Sequence, residues 1–123
     1  MKNIIALIVL LFLNSCFLIK ENGIEFTIKN NSDFPIEYVK FSTSEKLAIM
    51  KFDKIEPNES VSDFLTMKNN ARDGSYILEF TRSNGITETQ SYGYYTNGAA
   101  LEEWVAFKIL NDTTITKFSE TGN

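Results

Sequence analysis

Two hydrophobic patterns divide this chain. The first is a solid apolar run, Ile4 to Leu13, preceded by one basic residue, Lys2. The second starts at Ile24 and repeats every two residues. Ile24, Phe26 and Ile28 fall on one side of an extended chain, and Glu25, Thr27 and Lys29 on the other. Successive side chains of a strand point to opposite faces, so this spacing predicts a half-buried strand. Similar patterns predict strands over Phe34 to Phe41, over Leu47 to Ile55 with Ile49 and Phe52 in the core, and over Val61 to Met67. The clearest strand has Tyr76, Leu78 and Phe80 inward and Glu79 and Thr81 outward, and a return strand runs from Ile86 to Tyr95.

Turn chemistry separates these segments. Asn30-Asn31-Ser32-Asp33, Glu56-Pro57-Asn58-Glu59, Ser83-Asn84-Gly85 and Asn97-Gly98 are clusters of turn formers. Asn84-Gly85 between two extended runs is a strong hairpin signal. The stretch 99–110 reads two ways. Leu101, Trp104, Val105 and Ile109 have helical spacing, whereas Val105, Phe107 and Ile109 alternate. Asn111-Asp112 followed by the β-branched run from Thr113 favours a terminal hairpin over a helix. Seven or eight short strands with regular turns predict an all-β fold, an antiparallel immunoglobulin-like sandwich. The expected organisation is a signal segment over 1–15, Cys16 and a short tether over 16–23, a β-sandwich domain over 24–119 and a frayed tail over 120–123.

The apolar run is about half the roughly 20 residues that span a bilayer as a helix. A basic start, a short apolar stretch and a small residue before the cut describe a secretory signal peptide. The segment Leu13-Asn14-Ser15-Cys16, which holds the sole cysteine, resembles the lipobox of bacterial lipoproteins. The resemblance covers the leader only. It implies a diacylglyceryl group on the Cys16 sulfur, cleavage before Cys16, and stable anchoring once a further acyl chain is added. It also implies an outer-membrane address, because Phe17 rather than Asp follows Cys16. The residues alone also allow a secreted chain with a thiol at Cys16, or an uncleaved anchor. Phe17-Leu18-Ile19 could lie in the membrane interface or join the domain as an early strand.

Charge narrows the partners. The chain has 12 basic and 16 acidic residues, and removing the leader takes Lys2 and no acid, leaving 11 against 16. That acidity disfavours nucleic acid and anionic lipid surfaces, so acyl chains must hold the protein to a bilayer. With one cysteine and no internal disulfide, stability rests on apolar packing.

The chain has no histidine. That removes the usual general base, the Ser-His-acid and Cys-His systems and the commonest metal ligand. Glu102 and Glu103 are adjacent acids, which diverge on a strand. Asn69, Asp73 and Gly74 match part of an EF-hand-like loop, but Ala71 and Phe80 occupy ligand positions, so no metal and no cofactor are expected. The most suggestive stretch is Tyr92-Gly93-Tyr94-Tyr95-Thr96-Asn97-Gly98. Tyr92 and Tyr94 are expected on one face, with Gly93 marking a bulge. Tyr92, Tyr94, Tyr95 and Asn97, with Trp104 adding a stacking surface, form a candidate rim for an envelope protein or a glycan. The competing reading has the tyrosines filling the sandwich. Asp112-Thr113-Thr114 resembles a bacterial O-glycosylation acceptor, with Thr113 modified. The favoured function is a membrane-anchored, non-enzymatic binding or adaptor module. An inhibitor or immunity-type lipoprotein blocking a toxin or hydrolase is the alternative, and a carboxylate-only hydrolase ranks below both.

Overall fold

The computed structural model describes residues 21–121. Cys16, the leader and the run Phe17-Leu18-Ile19 lie outside the described residues, as do Gly122 and Asn123. Eight strands are present: β1 (Gly23–Asn30), β2 (Ile36–Thr43), β3 (Ile49–Ile55), β4 (Ser60–Thr66), β5 (Gly74–Arg82), β6 (Thr87–Tyr95), β7 (Trp104–Ile109) and β8 (Thr114–Phe118). They form two four-stranded sheets, in the orders β4-β1-β7-β8 and β3-β2-β5-β6. The fold is an all-β sandwich, and the described residues contain no helix. Residues 104–118 form the expected hairpin, with Val105 opposite Phe118 and Ile109 opposite Thr114. The pairing is not wholly antiparallel as expected. β1 and β7 run parallel, with Phe26 beside Val105 and Ile28 beside Phe107. A parallel pair needs a long crossover, and here the entire second sheet lies in sequence between the two strands.

The inward alternation of each sheet meets in one core. Ile24, Phe26 and Ile28 of β1 and Val105, Phe107 and Ile109 of β7 face Ile36, Val39 and Phe41 of β2 and Tyr76, Leu78 and Phe80 of β5. Phe41 is the aromatic junction. Its ring centroid lies 4.6 Å from Phe26, 5.5 Å from Phe107 and 5.9 Å from Tyr76. In β3 the core positions are Met50, Phe52 and Ile55, not Ile49, which is 46% exposed. The parity of β3 follows its partner: Phe41 pairs with Met50 and Val39 with Phe52, so Ile49 is turned outward.

Candidate functional site

The candidate rim is built on β6. From Thr87 to Tyr92 this strand pairs regularly with β5, Thr87 opposite Thr81 and Tyr92 opposite Tyr76. Tyr95 then pairs with Gly74, so β6 holds one residue more than β5 between the two pairs. The extra residue is a bulge at Gly93, whose φ of +57° suits glycine, and whose close neighbour is the Phe118 ring. The bulge changes which way the tyrosines point. Tyr92 turns inward and packs edge-on against Phe107 at 5.1 Å. Tyr94 turns outward and is 61% exposed. The expected shared face of Tyr92 and Tyr94 is therefore lost.

Tyr95 is fully buried, which corrects its expected place on the rim. Its ring packs 5.6 Å from Tyr76. Its hydroxyl donates to Glu45 Oε2 at 2.9 Å. The Asn70 amide also donates to that oxygen at 2.7 Å, and to Thr43 Oγ1 at 3.0 Å. Glu45 Oε1 accepts the Arg72 N–H at 3.0 Å. One carboxylate in the β2–β3 loop thus ties down residues 70–72 and the end of β6. The Asn70 hydrogen bond, the largest effect, outweighs the opposing effect of burial, and with the lesser bonds from Tyr95 and the Arg72 and Ala71 backbone it holds the Glu45 carboxyl below the usual carboxylate range.

Asn97 remains exposed at the loop tip with φ +50°, and its N–H donates to Asp73 Oδ1 at 2.8 Å. That bond occupies one acid of the partial EF-hand-like loop. Gly98 follows with φ +75°, and a Cβ there would run into the Asn70 carbonyl. Trp104 starts β7 in the other sheet, its side chain facing away from the core, so it does not extend the rim around Tyr94. Of the five expected residues, the structure keeps Tyr94 and Asn97 exposed at one end, places Tyr92 and Tyr95 beneath them as support, and separates Trp104. Thr113 is exposed at the β7–β8 turn, where its carbonyl accepts the Leu110 N–H at 2.8 Å.

The described chain enters the domain at this same end. Asn22 Nδ2 donates to the Gly98 carbonyl at 2.8 Å, and Asn22 Oδ1 accepts the Ala100 N–H at 3.2 Å. Glu102 and Glu103 line a nearby recess of about 400 Å³ with Glu21 and Glu120. Glu102 Oε2 and the Tyr76 hydroxyl are both buried without a hydrogen-bond partner. Burial pushes the Glu102 carboxyl up, and burial, then Glu102 and Tyr95, push the Tyr76 phenol up. Among the described residues no group of three or more acids, cysteines or histidines is placed to hold a metal ion.

These opposite shifts set a pH dependence. Glu45 is depressed in the fold, so its stabilisation is present above the ordinary carboxylate range and is lost as pH falls through its folded value. Glu102 is raised, so its contribution is present in acid and is lost as pH rises through its folded value. Thermal melts across pH should show Glu45→Gln losing less stability than the parent on acidification. Glu102→Gln should melt higher than the parent at neutral pH and equal to it in acid.

Sequence reasoning missed Glu45, Asn70 and Tyr38. Glu45 and Asn70 carry no local signal, because their bonds join segments 25 residues apart. Tyr38 does carry one. Ile36 is apolar but opposite in parity to Val39 and Phe41, so burying all three, as the structure does, requires a bulge between Ile36 and Val39.

No family model matches this chain, and no curated protein matches it. Among solved structures, an NMR structure of a protein from Eubacterium rectale is similar, with a TM-score of 0.54 and 10% identity over 79% of this chain and 88% of that one. At that identity the likeness concerns the fold alone.

Proposed function

We propose that this chain is a lipid-anchored envelope protein whose β-sandwich is a non-enzymatic binding module. The observation that carries the anchor is Leu13-Asn14-Ser15-Cys16 at the end of a short apolar run. An outer-membrane address is part of the proposal, supported by Phe17 after Cys16. Support for binding comes from large side chains left in solvent, among them Tyr38, Phe34 and Tyr94. A finer proposal for the architecture is an immunoglobulin-like sandwich, supported by two packed sheets whose connections repeatedly cross between them.

The tether gives the domain an orientation. Five residues separate Cys16 from Asn22, a reach of about 20 Å when extended. Asn22 sits beside Gly98, so Tyr94 and Asn97 face the membrane side. The opposite end, where β1 finishes at Asn30, points away from it. A partner at Tyr94 and Asn97 therefore meets the domain at the bilayer surface. Cells fed labelled palmitate should label the parent protein, and Cys16→Ser should carry no label. Label persisting on Cys16→Ser would contradict the anchor.

A further inference from the structure

We infer that a recess beside Tyr38, on the outer face of the second sheet, is a binding site for a neutral, hydroxyl-rich ring, a saccharide. This rests on the reading of the domain as a binding module, but not on the anchor at Cys16.

The site begins with backbone geometry. Between Glu37 and Lys40, β2 slips by one residue against β5: Glu37 pairs with Thr81 and Lys40 with Glu79. The slip places Glu37 and Tyr38 consecutively in solvent while Ile36 and Val39 are buried. Tyr38 has φ +52° and is 72% exposed. A side chain in this left-handed region is crowded against the backbone, and a bulky one is a clear outlier. The corresponding bulge of β6 uses Gly93 at φ +57°, which avoids that crowding. Nothing in core packing requires an aromatic ring at position 38, because the ring lies in water. Strain held at an exposed aromatic is a mark of a functional position.

The recess next to the ring has a volume of about 220 Å³ and is lined by Tyr38, Lys40, Lys51, Asp53 and Glu79 above Phe52. Lys51 lies directly opposite Lys40 across the β2–β3 pair, an arrangement of like charges that strands disfavour. Lys40 Nζ is 3.3 Å from Glu79 Oε2, and Glu79 Oε1 accepts the Thr89 hydroxyl at 3.0 Å. Lys51 and Asp53, two positions apart on one face of β3, offer an ammonium donor and a carboxylate acceptor.

The charges choose the ligand. Two carboxylates in the recess oppose an anion, and two lysines oppose a cation. An apolar ligand would strip water from four charged groups without replacing their hydrogen bonds. A sugar ring satisfies every side: its C–H face lies on Tyr38, and its hydroxyls both donate to Asp53 and accept from Lys51. Position agrees with this. Tyr38 stands near the start of β2, which follows the turn beside Asn30, at the end away from Asn22 and the tether.

The test is calorimetric titration of the full chain in detergent with three neutral probes, chitotetraose, cellotetraose and maltotetraose, and one anionic probe, tetragalacturonate. Saturable binding of at least one neutral probe is expected, with tetragalacturonate weaker. Tyr38→Ala should weaken binding at least about tenfold, Tyr38→Phe should keep it, and Ile115→Ser on the other sheet should leave it unchanged. Tyr38→Gly should melt at or above the parent temperature and still fail to bind, which separates loss of the ring from loss of the fold. Failure of all neutral probes to bind, tighter binding of tetragalacturonate, or parental affinity in Tyr38→Ala or Tyr38→Gly would overturn the site. In that event a protein captured through Tyr94 would still uphold the binding-module reading.

Discussion

Phe41→Ala should lower the unfolding free energy by about 4 kcal/mol, the usual range for deleting a buried phenylalanine ring. The ring is fully buried and touches three others, Phe26 and Phe107 from the first sheet and Tyr76 from its own. Its removal opens a cavity between the sheets, and the flanking rings cannot collapse into it without leaving their own contacts. Domains of this size are stable by about 5–15 kcal/mol, so the variant loses a large share. With a single cysteine in the whole chain, no internal disulfide offsets the loss. Equilibrium denaturation in urea measures it directly, with Phe41→Leu as the milder comparison. A loss under about 1 kcal/mol would show that Phe41 is not the junction of the two sheets.

Asn30→Ala should cost about 3 kcal/mol, through hydrogen bonds rather than volume. Asn30 is fully buried. Its Nδ2 donates to the Phe34 and Ile55 carbonyls, each at 2.9 Å. Its Oδ1 accepts the Ser32 N–H at 3.0 Å and the Ser32 hydroxyl at 2.5 Å. One amide thus joins the end of β1, the β1–β2 turn and the end of β3. Alanine strands the Ser32 N–H and removes the side-chain donor to the Ile55 carbonyl, each at a desolvation cost of about 1–3 kcal/mol, whereas the Phe34 carbonyl keeps the Ser32 hydroxyl at 2.8 Å. Asn30→Asp separates donor from acceptor. It keeps the acceptor for Ser32 but sets a carboxylate against two carbonyls, so it should be more destabilising at neutral pH than in acid. Melts of both variants at the two pH values check this, and an Asn30→Ala variant as stable as the parent would refute it.

Local pattern carried much of the fold. The alternation of Tyr76, Leu78 and Phe80, the Asn84-Gly85 turn and the final hairpin all act over a few residues, and each appears where the spacing places it. Errors arose where one residue changes parity. Gly93 marks the bulge in the sequence, but plain alternation predicts Tyr92 and Tyr94 on one face. The bulge instead sends Tyr94 out and Tyr95 in. Ile49 fails for a related reason, since its direction is set by pairing of Met50 with Phe41. The parallel β1–β7 pair had no local signal, because its partners are far apart in the chain. The Glu45–Asn70–Tyr95 cluster is hidden for the same reason. Trp104 looked close to the tyrosines in sequence, but the connection after Gly98 crosses to the other sheet before β7 begins.

The membrane address and the sandwich make one proposal: a short tether holds Tyr94 and Asn97 toward the bilayer and leaves the Tyr38 face outward. The intact mass of the protein purified from membranes tests its central claim most directly. The expected mass is that of a chain starting at Cys16 plus the mass of its acyl groups. A mass that retains residues 1–15, or a chain beginning at or near Cys16 without added acyl mass, would contradict it.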